Sequence, residues 1–170
     1  AARAELLVRL PYLEPERAAL DELWSAGPKV IAADLPMGFA ATRRFLETVG
    51  RAAAVDERVL AAYAERREAR ARQPLGKMLS RWRSQRVAVF AEPPLAAGTC
   101  AMLLELGLEP TLVGLRGTSL GGRAAFEAAL GRSRLALGPE ASILESPSLG
   151  LIRERLRAEL APRRHDGVLG

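Results

Sequence analysis

The chain has 170 residues, 49% of them apolar and 26% charged, with a formal net charge of +5, one cysteine and one histidine. That is enough apolar material for one domain or for one and part of a second, and it excludes both an internal disulfide and a metal site built from several cysteines. No run approaches the roughly 18 apolar residues that a membrane span requires, and no signal-peptide succession opens the chain, so no membrane association is expected and the compartment read is the cytoplasm.

Leu6-Leu7-Val8-Arg9-Leu10 is a short apolar run ended by Pro11, and reads as a strand with no preceding turn. Pro15 suits a first helical position, Leu20, Leu23 and Trp24 give an apolar face, and Gly27 supplies a stop, so a helix is predicted over 15–26. A second buried strand follows at Lys29–Ala33, which makes residues 6 to 33 a strand-helix-strand passage. After the Asp34-Leu35-Pro36-Met37-Gly38 loop, Phe39, Thr42, Leu46 and Val49 share one helical face up to Gly50. Asp56 caps a second helix carrying Val59, Leu60 and Tyr63, which turns polar on every side over 65–72 and reads as a solvated surface. Gln73-Pro74-Leu75-Gly76 is predicted to break it, with Met78, Leu79 and Trp82 forming another turn or two of helix.

The stretch from Arg86 to Leu115 is the clearest unit. Val87, Val89 and Phe90 predict a strand buried on both faces, Glu92-Pro93-Pro94 a turn, and Leu95 to Leu106 a helix with Gly107 at its left-handed stop. Pro110 then opens a second strand, completing one βαβ crossover. Gly117, Gly121 and Gly122 mark a mobile loop, and Ala124, Phe126, Ala128, Ala129 and Leu130 a short helix. Ser142-Ile143-Leu144 is a brief strand, after which Ser146 as N-cap and Pro147 at the first helical position introduce a helix with Leu149, Ile152, Leu156 and Leu160 on its apolar side and Pro162 as its end. Gly167-Val168-Leu169-Gly170 reads as the opening of a further strand, and the sequence as a piece of a longer protein cut at both ends. The fold class is α/β, with Rossmann-like parallel sheets flanked by helices. Three segments are predicted: 1–34 as the end of one unit, 35–84 as a connecting helical segment, and 85–170 as a second unit truncated at its C-terminus.

Candidate chemistry is sparse. The turn after the strand at 86–91 is a poor phosphate cradle, because Pro93 and Pro94 lack N–H donors, Glu92 adds a negative charge and no G-x-G-x-x-G is present. Glycines 117, 121 and 122 lack the Lys-Ser/Thr of a phosphate-binding loop. Cys100 lies among apolar neighbours and reads as a small core hydrophobe, while His165 sits in the polar run Arg163-Arg164-His165-Asp166, so neither a catalytic triad nor a metal site has enough members. The acidic pairs Glu14 with Glu16 and Asp56 with Glu57 read as helix N-terminal charges. Lys29 and Lys77 are the only lysines among the cations, aromatic content is 5%, and no aromatic stripe interleaves the arginines, which argues against nucleic acid as a partner.

Two passages carry a resemblance. Leu35-Pro36-Met37-Gly38-Phe39-Ala40-Ala41-Thr42-Arg43-Arg44-Phe45-Leu46 resembles the P-x-G-x-x-x-T-x-x-F-[LI] segment of the nitrogenase component 1 superfamily. Arg86 to Leu95, followed by Leu103-Leu104-Glu105-Leu106-Gly107-Leu108-Glu109-Pro110, resembles the K-R-x-A-[LI]-x-[GA]-[DE]-P-D and L-L-E-L-G-x-E-P passages of its β-type subunits, among them the nitrogenase β chain and its iron-molybdenum cofactor assembly scaffold relative. The matched positions Pro36, Gly38, Thr42, Glu92, Pro93 and Gly107 read as structural, with no catalytic residue and no metal ligand in this chain. The resemblance implies a C-terminal portion of a subunit that works in ATP-dependent, iron-sulfur-cluster-based reduction or in cofactor assembly. It implies a homologous α-type subunit and an ATP-dependent iron-sulfur reductase as partners, and an iron-sulfur or iron-molybdenum-type cluster held elsewhere in the parent protein. Two departures are visible. Lys77-Met78-Leu79 stands where the β-type subunit of dark-operative protochlorophyllide reductase places an aspartate, and Pro94 stands where the family often has Asp. A protochlorophyllide or chlorophyllide reductase subunit, a non-enzymatic interaction module of Rossmann-like fold using the arginine-rich helix, and a nucleotide-binding Rossmann protein are the alternatives.

Overall fold

The computed structural model describes residues 6–10, 29–117 and 122–160. The helix predicted over 15–26, Gly121 of the glycine loop, Pro162, His165 and the strand opening at 167–170 lie outside the described residues.

Two parallel sheets are present among the described residues. Strand β1 (Leu6–Arg9) pairs with β2 (Lys29–Ala32) in the register Leu6 to Lys29 through Arg9 to Ala32. Helix α1 (Phe39–Ala52) and helix α2 (Glu57–Trp82) follow, and then a three-stranded sheet of β3 (Arg86–Ala91), β4 (Glu109–Leu115) and β5 (Ser142–Glu145) in that spatial order. Helix α3 (Pro93–Glu105) crosses from β3 to β4 and α4 (Gly122–Arg132) from β4 to β5, before α5 (Leu149–Leu160). Both crossovers advance in the same direction, so right-handed connections put α3 and α4 on one face of the sheet, where they pack against each other.

The core lies between that helix pair and the sheet. Ala96, Ala97, Cys100 and Ala101 of α3 are small enough to let α4 approach, and Phe126 and Leu130 fill the space against Val89, Val113 and Leu115. Cys100 is the small core hydrophobe that its neighbours predicted, with no exposed surface, and burial pushes its thiol up to about 12. The sequence placed the doubly buried strand at 86–90, but the structure moves that role to β4. Alternate residues of β3, Ala88 and Phe90, are exposed, because β3 has one described neighbour whereas β4 lies between two. Gly114 of β4 is a close-approach glycine, since a Cβ there would collide with the Phe90 ring.

Helix α1 does not stop at Gly50. It runs on to Ala52, and Gly50 instead makes room for Leu60 of α2. Asp56 caps α2 as predicted, its Oδ1 accepting from the N–H groups of Arg58 at 2.9 Å and Val59 at 3.1 Å. The predicted break over 73–76 does not occur, and α2 continues through Pro74 to Trp82. Arg70 and Pro74 are both exposed, so the carbonyl left without its donor is open to water. The helix predicted from Leu95 begins two residues earlier, at Pro93, where a missing N–H has no cost. Its end matches the reading of Gly107, which has φ +79°, while the Leu108 N–H donates to Leu103 O and the Gly107 N–H to Leu104 O, both at 3.0 Å. At α5 the predicted cap is replaced. Ser148, not Ser146, accepts from Leu151 N–H at 3.2 Å, and Leu149, the first residue of the helix, is 79% exposed while Ile152 and Leu156 are half-buried.

Candidate functional site

Helix α3 gathers the sequence motifs. At its C-terminal end, the Glu105 carboxylate accepts the N–H of Phe39 through Oε2 and that of Ala40 through Oε1, the latter at 2.9 Å. These are orphan donors of the first turn of α1, so a glutamate 65 residues along the chain supplies the cap that α1 lacks locally. Gly38 makes this possible: its φ of +81° and ψ of 177° belong to glycine, and a Cβ there would lie 2.7 Å from Glu105 Oε2. Thr42 Oγ1 donates within the same turn toward Pro36 O at 3.0 Å and Gly38 O at 2.6 Å, while Met37 packs over Gly98 of α3. Pro36, Gly38 and Thr42 are thus brought to the C-terminal half of α3. Glu92 and Pro93 stand at its opposite end and Gly107 just beyond its stop. Glu92 makes no side-chain cap and faces Arg116 at 3.7 Å, while Pro93 and Pro94 are buried.

A cleft of about 440 Å³ opens at the carboxyl ends of β1 and β2, where parallel α/β sheets commonly receive ligands. Its rim carries three arginines. Arg9 ends β1 and is 8% exposed. Arg44, on the second turn of α1, donates from Nη2 to Ser133 Oγ at 3.1 Å, and its Nε is buried with no hydrogen-bond partner among the described residues. Arg132, at the end of α4, forks onto Asp34, with Nη2 to Oδ1 at 2.9 Å and Nε to both oxygens at 3.1 Å. The floor is apolar and small-featured, from Ala97, Gly98 and Ala101 of α3 and Ala125, Ala128 and Ala129 of α4. None of the six motif residues lines this cleft; Gly38 and Thr42 border a separate groove of about 680 Å³ between α1, α2 and α3. The sequence reading missed Arg44 and Glu105 because their partners lie 89 and 65 residues away.

On α2, Glu68 bridges Arg43 at 3.0 Å and Arg72 at 2.9 Å, and those hydrogen bonds hold its carboxyl below the usual range. Arg72 also stacks over Phe39, 3.9 Å from the ring centroid. The segment is solvated, as its mixed charge predicted.

The donor set of the described residues does not fit a metal cluster. Among the described residues no group of three or more His, Cys, Asp or Glu is arranged to hold a metal ion. Cys100 is closed inside an apolar core as a thiol, whereas cluster ligation requires a thiolate with access to the metal.

The strand order, the crossover helices and the cleft at the carboxyl strand ends define a Rossmann-like α/β protein. No helix among the described residues is long and apolar enough to cross a membrane. A family model described as nitrogenase component 1 type oxidoreductase matches residues 4–161, and the chain belongs to that family. Among solved structures, the chain is similar to one titled "Nitrogenase Cp1 at pH 6.5", with a TM-score of 0.68 and 16% identity over 91% of this chain. The match covers 32% of that protein's chain, so the present sequence spans about a third of its length. No curated protein sequence matches the chain.

Proposed function

We propose that this chain is part of a β-type subunit of a nitrogenase-like oxidoreductase, serving ATP-dependent, iron-sulfur-cluster-based reduction or the assembly of a nitrogenase-type cofactor. The observation that carries the reading is the family match over residues 4–161, joined to the way Pro36, Gly38, Thr42 and the Leu103–Glu109 passage meet at one end of α3. In this reading the chain is wall rather than ligand set. The cluster is held by other parts of the subunit, a homologous α-type subunit pairs with it, and an iron-sulfur reductase supplies electrons in the cytoplasm. Residues 1–34 and 85–170 then belong to two Rossmann-like units linked by 35–84, which agrees with the absence of described pairing between the β1–β2 and β3–β4–β5 sheets.

The test is to purify the full-length protein with its co-encoded subunit under anaerobic conditions and measure iron and the reduced-state electron paramagnetic resonance signal. The proposal expects stoichiometric iron in the complex and the same iron content in Cys100→Ala. A complex free of iron after reconstitution, or loss of iron specifically in that variant, refutes it.

A further inference from the structure

We propose that the arginine-rimmed cleft binds a small organic anion, one or two carboxylate or phosphate groups on a short carbon body. This goes beyond the redox reading and does not depend on it. Two guanidinium groups, Arg44 and Arg132, face this cleft beside Asp34, the carboxylate that lines it among the described residues and is already engaged by Arg132, while Arg9 closes the strand end next to them. Arg44 is the telling member. Among the described residues its partner is the neutral Ser133 hydroxyl, and a second donor, Nε–H, is buried with no acceptor among them. A guanidinium so placed meets a carboxylate or phosphate through paired donors, the geometry for which arginine is suited.

The floor fixes the rest of the ligand. Ala97, Gly98, Ala101, Ala125 and Ala129 offer no side-chain donor or acceptor, so they suit carbon, and about 440 Å³ falls in the lower range of small-molecule sites. The position at the carboxyl ends of β1 and β2 is where a parallel sheet places its ligands, and it is formed jointly by α1, α3 and α4, so no single helix terminus creates it. An inorganic ion alone would leave the apolar floor uncovered. The same cleft therefore selects against bare phosphate and for an anion with a carbon body.

Isothermal titration of the full-length protein with succinate, glycerol 3-phosphate and inorganic phosphate at constant ionic strength tests this. One organic probe is expected to bind saturably, with inorganic phosphate at least tenfold weaker, and the tighter organic probe identifies the headgroup. Arg44→Gln is expected to weaken that probe by roughly tenfold or more, the effect of losing a charge-assisted hydrogen bond. Should that variant fail to fold, Ser133→Asp carries the test. It places a carboxylate beside Arg44, so it is expected to leave thermal stability equal or higher while cutting affinity by a similar factor. Arg153→Gln, an exposed arginine on α5, controls for general charge and is expected to bind as the parent does. No saturable binding, preference for inorganic phosphate, unchanged affinity in Ser133→Asp, or an equal loss in Arg153→Gln overturns the proposal.

Discussion

Glu105→Ala removes the long-range contact that caps the first turn of α1. The carboxylate satisfies two part-buried N–H groups, those of Phe39 and Ala40, at the positive end of α1. A hydrogen bond to a charged group is worth about 1.5–3 kcal/mol, and loss of an ordinary N-terminal cap costs about 0.5–2 kcal/mol. Water can reach part of the vacated site, so the sum is discounted to about 3 kcal/mol, or roughly 6–12 °C in Tm for a chain of this size. Chemical denaturation gives the free energy, and hydrogen exchange locates it: the Phe39 and Ala40 amides should exchange about two orders of magnitude faster if they open locally. A loss below about 0.5 kcal/mol with unchanged protection of those amides would refute the reasoning. Gly38→Ala extends the test. Its Cβ meets the Glu105 carboxylate, so its cost should fall by about 1 kcal/mol in the Glu105→Ala background, a coupling that independent sites would not show.

Three further outcomes follow from the geometry. Pro74→Ala should stabilise the protein by about 1–2 kcal/mol in thermal unfolding, since it restores a donor inside α2 at an exposed position; a loss would mean that the proline fixes a needed bend. Cys100 should resist iodoacetamide in the native state at pH 8 and react freely in urea, and raising its thiol from 9.0 to about 12 means that its stabilising contribution holds below pH 9 and falls by about 1.4 kcal/mol per pH unit from there toward 12; Cys100→Ala should remove that part of the alkaline slope. Glu68 is held below its ordinary value of 4.5 by Arg43 and Arg72, so its contribution is present above pH 4.5 and disappears as acid titrates it below that. Glu68→Gln should flatten that acid limb and cost only about 0.5–1 kcal/mol at pH 7, because both arginines are partly exposed.

The parts of the fold that were legible in the sequence are those fixed by short-range chemistry. Asp56 as a cap, Gly107 as a left-handed stop and the Pro-bounded apolar runs of β3 and β4 all act within a few residues, and each appears where the spacing put it. Errors arose where tertiary context outranked the local signal. Pro74 is a strong breaker in isolation, yet solvent at the Arg70 carbonyl makes its cost bearable within a 26-residue helix. Ser146 and Ser148 are equally good caps by composition, and only the path of the chain leaving β5 selects the second. Val87, Val89 and Phe90 could not say whether their strand is central or flanking, since that depends on where β5 pairs. The cleft was the least legible feature, because Arg9, Arg44 and the adjacent Arg132 and Ser133 come from three separate stretches and meet only in the folded chain.

The distance between α1 and its cap has a consequence for synthesis. Because Glu105 follows Ala40 by 65 residues, α1 leaves the ribosome before the group that completes its first turn has been made. At translation rates of 5–20 residues per second that interval is roughly 3–13 s, long against the microseconds a helix needs to form. During it the N-terminus of α1 depends on water or on a transient acceptor. The emergence of α3 is therefore the step at which the Pro36–Thr42 loop is locked, and slow codons between Gly76 and Glu105 would lengthen the exposure of α1 without altering the folded product.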